Sequence, residues 1–182
     1  TSKGFKSPLG LRCLHMKCVN NEIRRQDRVL NEEEALDLLA QTEYGILSMI
    51  DENGLPYGIP VNHVWDKNNS IYIHCAPEGK KLRAIKHHPN VSFCVVGRTN
   101  VLPKYFTTEY ESAVFFGTAQ AQLDDEEKMK ALHLLVDKLS PEFKELGDTY
   151  AHKSFNRVEI IRIDIESFSG KAKTAKQVRK SY

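Results

Sequence analysis

Apolar and polar positions recur along this chain with two periods, and the change from one to the other marks out the elements. Leu30-Asn31-Glu32-Glu33-Glu34 starts a helix: Asn31 caps it, Glu34 closes a capping box, and three carboxylates stand at the positive end of the dipole. Leu36, Leu39 and Ala40 then form an apolar stripe that ends near Gln41. From Tyr44 to Ile50 the period drops to two, with Gly45, Leu47 and Met49 on one face. Asp51-Glu52-Asn53-Gly54 is a hairpin turn, because Asn and Gly tolerate positive φ. Pro56 to Trp65 is the returning strand. It is interrupted by Pro60, which cannot donate to a ladder and so marks an edge or a bulge where the backbone can meet something else.

A second turn, Lys67-Asn68-Asn69-Ser70, leads into Ile71–Cys75, with Ile71, Ile73 and Cys75 on one face and Tyr72 and His74 on the other. Gly79 to His88 is a short helix with Leu82 and Ile85 inward, ended by Pro89. Val91–Val96 is a strand. Tyr110–Leu123 is a longer one whose Ala113, Phe115, Gly117, Ala119, Ala121 and Leu123 form a small-residue face suited to the taper of a barrel interior. Asp124–Leu139 is the clearest helix, capped by Asp124, with Met129, Leu132, Val136 and Leu139 as its stripe, and Ser140-Pro141 restarts a shorter one. Val158–Ile165 is the last strand. The pattern predicts one mainly β, α+β domain: a six-stranded antiparallel barrel with flanking helices.

Composition narrows the function classes. With 182 residues, 41% hydrophobic and 27% charged, the chain can bury a proper core. A net charge of +2 gives no electrostatic case for nucleic acid, and the apolar runs are strand-sized, too short for a membrane helix. The four cysteines, Cys13, Cys18, Cys75 and Cys94, make no disulfide framework, which suits a reducing cytoplasm. Residues 1–20 lack periodicity and read as a disordered leader or an extension added in cloning, with the His15-Met16 pair suggesting Met16 as a start. The domain is expected over 21–173 and a basic, flexible tail over 174–182, either a frayed terminus or a phosphate-binding arm.

The best local chemical signal runs from the Ile71–Cys75 strand into the helix after Gly79. Free amides of the first helical turn and the ammonium groups of Lys80 and Lys81 suit a phosphate. Lysine opposes the dipole at that end unless an anion is bound, although two solvated lysines are the simpler alternative. His74 is a candidate ligand contact or proton donor, or a hydrogen-bonded structural histidine. No metal site is expected. Cys13, His15 and Cys18 lack a second ligand pair, and neither a CxxC nor an HExxH motif is present. Nor is there a GxSxG elbow, a Walker loop or a GxGxxG fingerprint. Ser112, Val114 and Phe116 point opposite the small-residue face, which suggests a partner subunit or a covering helix.

Taken in order, Ile59-Pro60-Val61-Asn62-His63-Val64, Ile71-Tyr72-Ile73-His74-Cys75-Ala76, Gly79-Lys80-Lys81-Leu82 and Asn90-Val91-Ser92-Phe93-Cys94-Val95 resemble the pyridoxamine 5′-phosphate oxidase-like flavoproteins. They are most similar to the nitroimidazole-resistance branch; Phe106-Thr107-Thr108, Tyr110-Glu111-Ser112 and Ile163-Asp164-Ile165 with Ser169-Gly170-Lys171 extend the match. The resemblance implies a Greek-key split β-barrel homodimer with FMN between the subunits. By position, Pro60, Val61 and Asn62 would line the isoalloxazine edge, and His74, Cys75 and Ala76 the ribityl chain and ring. Gly79, Lys80 and Lys81 would hold the phosphate, with Lys81 the safer ligand. Ser112, with Glu111 beside it, stands where the oxidase branch uses a glutamine. The implied activity is reduction of a small electrophile, a nitro-heterocycle or quinone, with NAD(P)H as a candidate donor and His74 as the proton source. The oxidase's substrate-gripping arginine- and tryptophan-bearing carboxyl-terminal segment is missing, so vitamin B6 oxidation is disfavoured. The alternative is a non-enzymatic flavin- or haem-binding protein of the same fold, with His74 or His63 as axial ligand; a deazaflavin is a remoter option.

Overall fold

The sheet is built from strands whose alternation matches their burial. In the computed structural model, which describes residues 16–174, the strands are β1 Lys17–Cys18, β2 Tyr44–Ile50, β3 Pro56–Asn62, β4 Val64–Trp65, β5 Ser70–Cys75, β6 Asn90–Leu102, β7 Thr107–Gln120 and β8 Glu159–Lys173. The α-helices are α1 Glu32–Gln41, α2 Lys80–His87, α3 Asp125–Leu139 and α4 Lys144–Ser154. Strand order is β3-β2-β6-β7-β8-β5-β4, antiparallel throughout, and β1 adds in parallel to β8. The two outermost strands, β3 and β4, are consecutive in the chain. The polypeptide therefore crosses from one end of the sheet to the other at His63. Among the described residues no ladder joins these ends, so the sheet curls round without closing.

The expected six strands are all present, but the count rises to eight. The strand expected over 56–65 is divided at His63 into β3 and β4, which pair with different neighbours, and β1 lies in the stretch assigned to the leader. Met16 is buried there and Asn20 is bonded to Leu30 and Gly170, so residues 16–20 pack with the domain. Residues 1–15 and 175–182 lie outside the described residues, as do Cys13, His15 and most of the expected tail. β6 and β8 run well past their expected ends. Their second halves, such as Gly97-Arg98-Thr99-Asn100, carry no apolar alternation; the β7 ladder holds them.

The main core lies inside the curl, where Phe93, Phe115 and Phe168 are fully buried and Phe115 stacks on Phe168 at 5.5 Å. Each such ring contributes roughly 1.5–3 kcal/mol. α1 caps this core with Ala35, Leu36, Leu38 and Leu39, a wider face than the expected stripe, and its Asn31–Glu34 capping box is formed. A smaller cluster lies under α3 and α4, where Ala131, Leu132 and Leu135 meet Val64, Tyr72 and Ile160. The α3 stripe is thus turned from the expected one, and Leu139 is 36% exposed, because α4 and the sheet grip the helix from two sides. Of the small-residue face, Ala113, Phe115, Gly117 and Ala119 line the core, while Ala121 and Leu123 fall beyond the end of β7.

The other face of β2, β6 and β7, with the second half of β8, is a carpet of small and apolar side chains, whereas α3 covers the start of β8 at Ile160. Register places Ser92 against Phe116, Cys94 against Val114 and Val96 against Ser112, with Ser167 and Ser169 alongside. Phe116 and Val96 are 44% and 52% exposed. Gly117 sits where the β7–β8 register shifts, and a Cβ there would lie 2.0 Å from the Asp164 carbonyl oxygen. The neighbour is backbone and cannot step aside. Gly117→Ala is therefore expected to destabilise the protein by about 1–3 kcal/mol, read as a lower urea midpoint with an unchanged slope.

Candidate phosphate and cofactor site

β3, β5 and α2 converge at one end of the sheet. Val64 pairs with Tyr72, and carrying that register back across His63 would set Asn62 against His74, Val61 against Cys75 and Pro60 against Ala76. Instead β3 leaves to pair with β2, so the strands diverge while remaining neighbours. The divergence opens a split in the sheet, edged by the residues singled out from the sequence. Pro60 and Asn62 are exposed on it, Val61 packs inward, and Asn62 donates its side-chain amide to the Glu43 carbonyl at 3.1 Å. His74 is exposed, whereas Tyr72, its companion on that face of β5, is buried under α3 and donates to Glu127 at 2.9 Å.

Gly79 joins β5 to α2 with φ +156° and ψ 173°, a conformation essentially confined to glycine, and a Cβ there would have no atom within 4 Å. Conformation, not crowding, requires the glycine, and the space in front of it is open. Unlike α1 and α3, α2 has no side-chain cap and no acidic residue in its first turn. Its leading amides are left for an external acceptor.

The two lysines divide. Lys80 pairs with the buried carboxylate of Asp51 at 3.0 Å and lies over the Tyr57 ring at 4.5 Å. Asp51 also accepts from the Leu55 and Asn53 amides; these bonds, led by Leu55, with the Lys80 charge hold its carboxyl below the usual range. Arg83 reaches Glu52 at 3.2 Å, so two ion pairs clamp α2 to the β2–β3 turn. Lys80 is thus engaged in the fold. Lys81 makes no ion pair with any described residue and lies near Cys75, whose thiol is pushed up by burial and eased down by the Lys81 charge. Asp51 read only as a turn residue in the sequence; its role as the anchor of α2 had no local signal.

Glu111 and Ser112 do not join this cluster within one chain. Ser112 pairs with Lys171, whereas Cys75 pairs with Glu159, a dozen residues back along β8, or roughly 40 Å of strand. Glu111 turns away from the outer face and accepts the Arg98 amide at 2.9 Å. Ser112 alone of the two faces outward.

His63, at the crossing, is fully buried and edge-on to Phe93 at 4.9 Å. Its Nε2 lies 2.9 Å from the Leu39 carbonyl and 3.3 Å from Lys138 Nζ. One nitrogen cannot both donate to the carbonyl and accept from the ammonium. We assign the proton to Nε2, because the shorter contact is to the carbonyl and Nδ1, which has no partner, is then a bare acceptor and not a stranded donor. An axial-ligand role for His63 is incompatible with this burial. Among the described residues no group of three or more metal-ligating side chains occurs, and no helix is long and apolar enough to cross a membrane.

An open sheet split beside an uncapped strand–glycine–helix unit places the chain in a class of curled, incompletely closed antiparallel β proteins with a free helix N-terminus at the seam. Comparison narrows the class: the pyridoxamine 5′-phosphate oxidase family model matches residues 31–172, so the chain belongs to that family. No curated protein matches it. Many solved structures share the fold, three of them as follows. One, from Bacteroides thetaiotaomicron, has a proposed role in 5-nitroimidazole antibiotic resistance (TM-score 0.68, 21% identity, 79% of this chain and 86% of that one). Another is the flavocytochrome Anf3 from Azotobacter vinelandii (0.70, 20%, 88% and 77%). The third is an FAD- and haem-binding protein from Mycobacterium smegmatis (0.68, 19%, 85% and 79%).

Burial pushes the His63 imidazole down to about 4, with the Lys138 charge adding to the effect. Between the unfolded value of 6.5 and about 4, the unfolded chain binds a proton that the folded one refuses, so stability falls as pH drops through that window. From pH 7 to 5 the loss is expected to be roughly 2 kcal/mol. His63→Phe should flatten that slope, as read from urea midpoints at each pH.

Proposed function

We propose that the chain is a flavin-dependent reductase that binds an FMN unit at the split, with its phosphate on the α2 amides and Lys81. The observation that carries this reading is the uncapped start of α2 at Gly79, with open space before it and, in Lys81, a lysine with no ion-pair partner among the described residues. Pro60, Val61 and Asn62 would edge the ring along β3, where Pro60 brings no amide proton and the edge backbone lacks a second strand. His74, Cys75 and Ala76 would follow the ribityl chain. Glu111 is already bonded within the chain, so Ser112 remains as the contact from β7.

The outward carpet supports a homodimer. Its serines are small enough to let a second sheet approach, and its exposed Phe116, with Ile50 and Pro56, lines a cavity of about 450 Å³. Two copies facing across it would set Ser112 of one against the split of the other, joining halves that a single chain keeps apart.

When bound and reduced, by NAD(P)H or another donor, the flavin supplies a hydride to a small electrophile of the nitro-heterocycle or quinone type. The chain's own part is to orient the ring, exclude water and deliver a proton. His74 suits proton delivery, because it is exposed at the lip of the split and no described residue holds its ring by a hydrogen bond. The flavocytochrome and the FAD- and haem-binding neighbours support a flavin-binding reading and leave haem as the rival, for which His74 is the remaining ligand.

Absorbance of the purified protein separates the two: flavin bands are expected, and a Soret band alone would overturn the proposal. Lys81→Ala should weaken FMN binding about tenfold or more by calorimetry, whereas unchanged affinity would remove the phosphate assignment. His74→Ala should leave flavin affinity within about twofold and slow turnover about 10²-fold or more; an unaffected rate would end its role as proton donor.

A further inference from the structure

Between α3, the end of α1 and the turn after β4 lies a recess of about 430 Å³, within the range of small-molecule sites. It shares no residue with the proposed flavin site. Ala40, Val64 and Leu134 give it apolar walls, and a hydrogen bond from Trp65 Nε1 to the Asn68 carbonyl at 3.1 Å fixes the indole beside them. Lys138 lines the recess too, half-buried, with its amine 3.3 Å from His63 Nε2. Asp66, Lys67 and Asp137 complete the lining, so the titratable groups bordering Lys138 are these three and His63. Both carboxylates are engaged elsewhere. Asp66 accepts the Asn68 and Ser70 amides at 2.9 and 3.0 Å, and Asp137 accepts from Lys144 at 2.6 Å. Lys138 makes no ion pair with any described residue.

The His63 proton, carried on Nε2, has the Leu39 carbonyl on one side and Lys138 on the other. An ammonium would oppose that N–H, whereas a free amine turns its lone pair toward it. Burial acts in the same direction and pushes the Lys138 amine down to about 8. Much of it is then unprotonated and nucleophilic at mildly alkaline pH, where an ordinary lysine is almost wholly charged. We infer that Lys138 condenses with a small aromatic aldehyde whose ring lies against Trp65 in the recess. The amine nitrogen bonds to the carbonyl carbon. The carbonyl oxygen then leaves as water with both amine protons, and a C=N bond remains, with no change of oxidation state. The inference does not depend on the flavin reading.

Benzaldehyde with cyanoborohydride tests it, the reductant trapping each imine as a secondary amine that peptide mapping locates. At pH 8 Lys138 should be labelled about tenfold faster or more than any exposed lysine, at a rate that levels off above about 8 instead of climbing toward 10.5. Trp65 is the only tryptophan, so the adduct should quench indole fluorescence in step with labelling. Lys138→Arg, whose guanidinium stays protonated, should abolish the fast labelling and the quenching. Trp65→Leu keeps the amine and removes the aromatic wall. It should slow labelling about fivefold or more, and it decides the matter if the first variant does not fold. Propanal, which has no ring, should favour Lys138 over exposed lysines about fivefold less than benzaldehyde does. Labelling of Lys138 no faster than that of exposed lysines, equal preference from both aldehydes, or labelling with unchanged fluorescence overturns the inference.

Discussion

One stretch of chain, Pro56 to Trp65, serves both ends of the sheet, and the rest of the architecture follows from how it divides. β3 completes a hairpin with β2 and β4 completes one with β5, so the backbone must leave one ladder and join the other within a single residue. That residue is His63, buried, neutral and held to the α1 backbone at Leu39. The bond ties the crossing to α1, and α1 caps the main core. A larger polar side chain would be stranded there, and an apolar one would leave the Leu39 carbonyl unpaired by it.

Because β3 and β5 diverge from that point, the sheet keeps a seam instead of closing into a barrel. A closed barrel has no free edge for a ligand to meet. Here the edge backbone of β3 stays available, and α2 is set beside it by Lys80–Asp51 and Arg83–Glu52. One lysine of the pair thus positions the helix so that the other, Lys81, stands by its amides. The same clamp turns a third face of α2 onto the end of β7. Adjacent surfaces of one eight-residue helix are thereby given to anchoring, to the proposed anion site and to a recess.

The outer carpet presents the opposite problem. Its serines and scattered apolar side chains neither form a core nor resemble a solvated surface, and Ser112 stands on it far from the split of its own chain. The proposed site, assembled from two copies, would account for both facts. It would also give a reason why a single chain carries Ser112 and the residues at the split in two separate places.

Much of this was legible in the residues alone. Alternation located the six long strands, the Asn31–Glu34 capping box placed α1, Pro60 marked an edge, and Gly79 marked the start of α2, because each is a local property of backbone and neighbouring side chains. What the sequence could not express was partnership over distance. It did not show that Lys80 pairs with Asp51, that Glu111 closes on Arg98, or that β6 and β8 extend through polar stretches along β7. Nor could it show that one strand is shared by two ends of a sheet. Periodicity reports which face of an element is buried, whereas ion pairs and ladders between distant segments exist only once folding has chosen which segments meet.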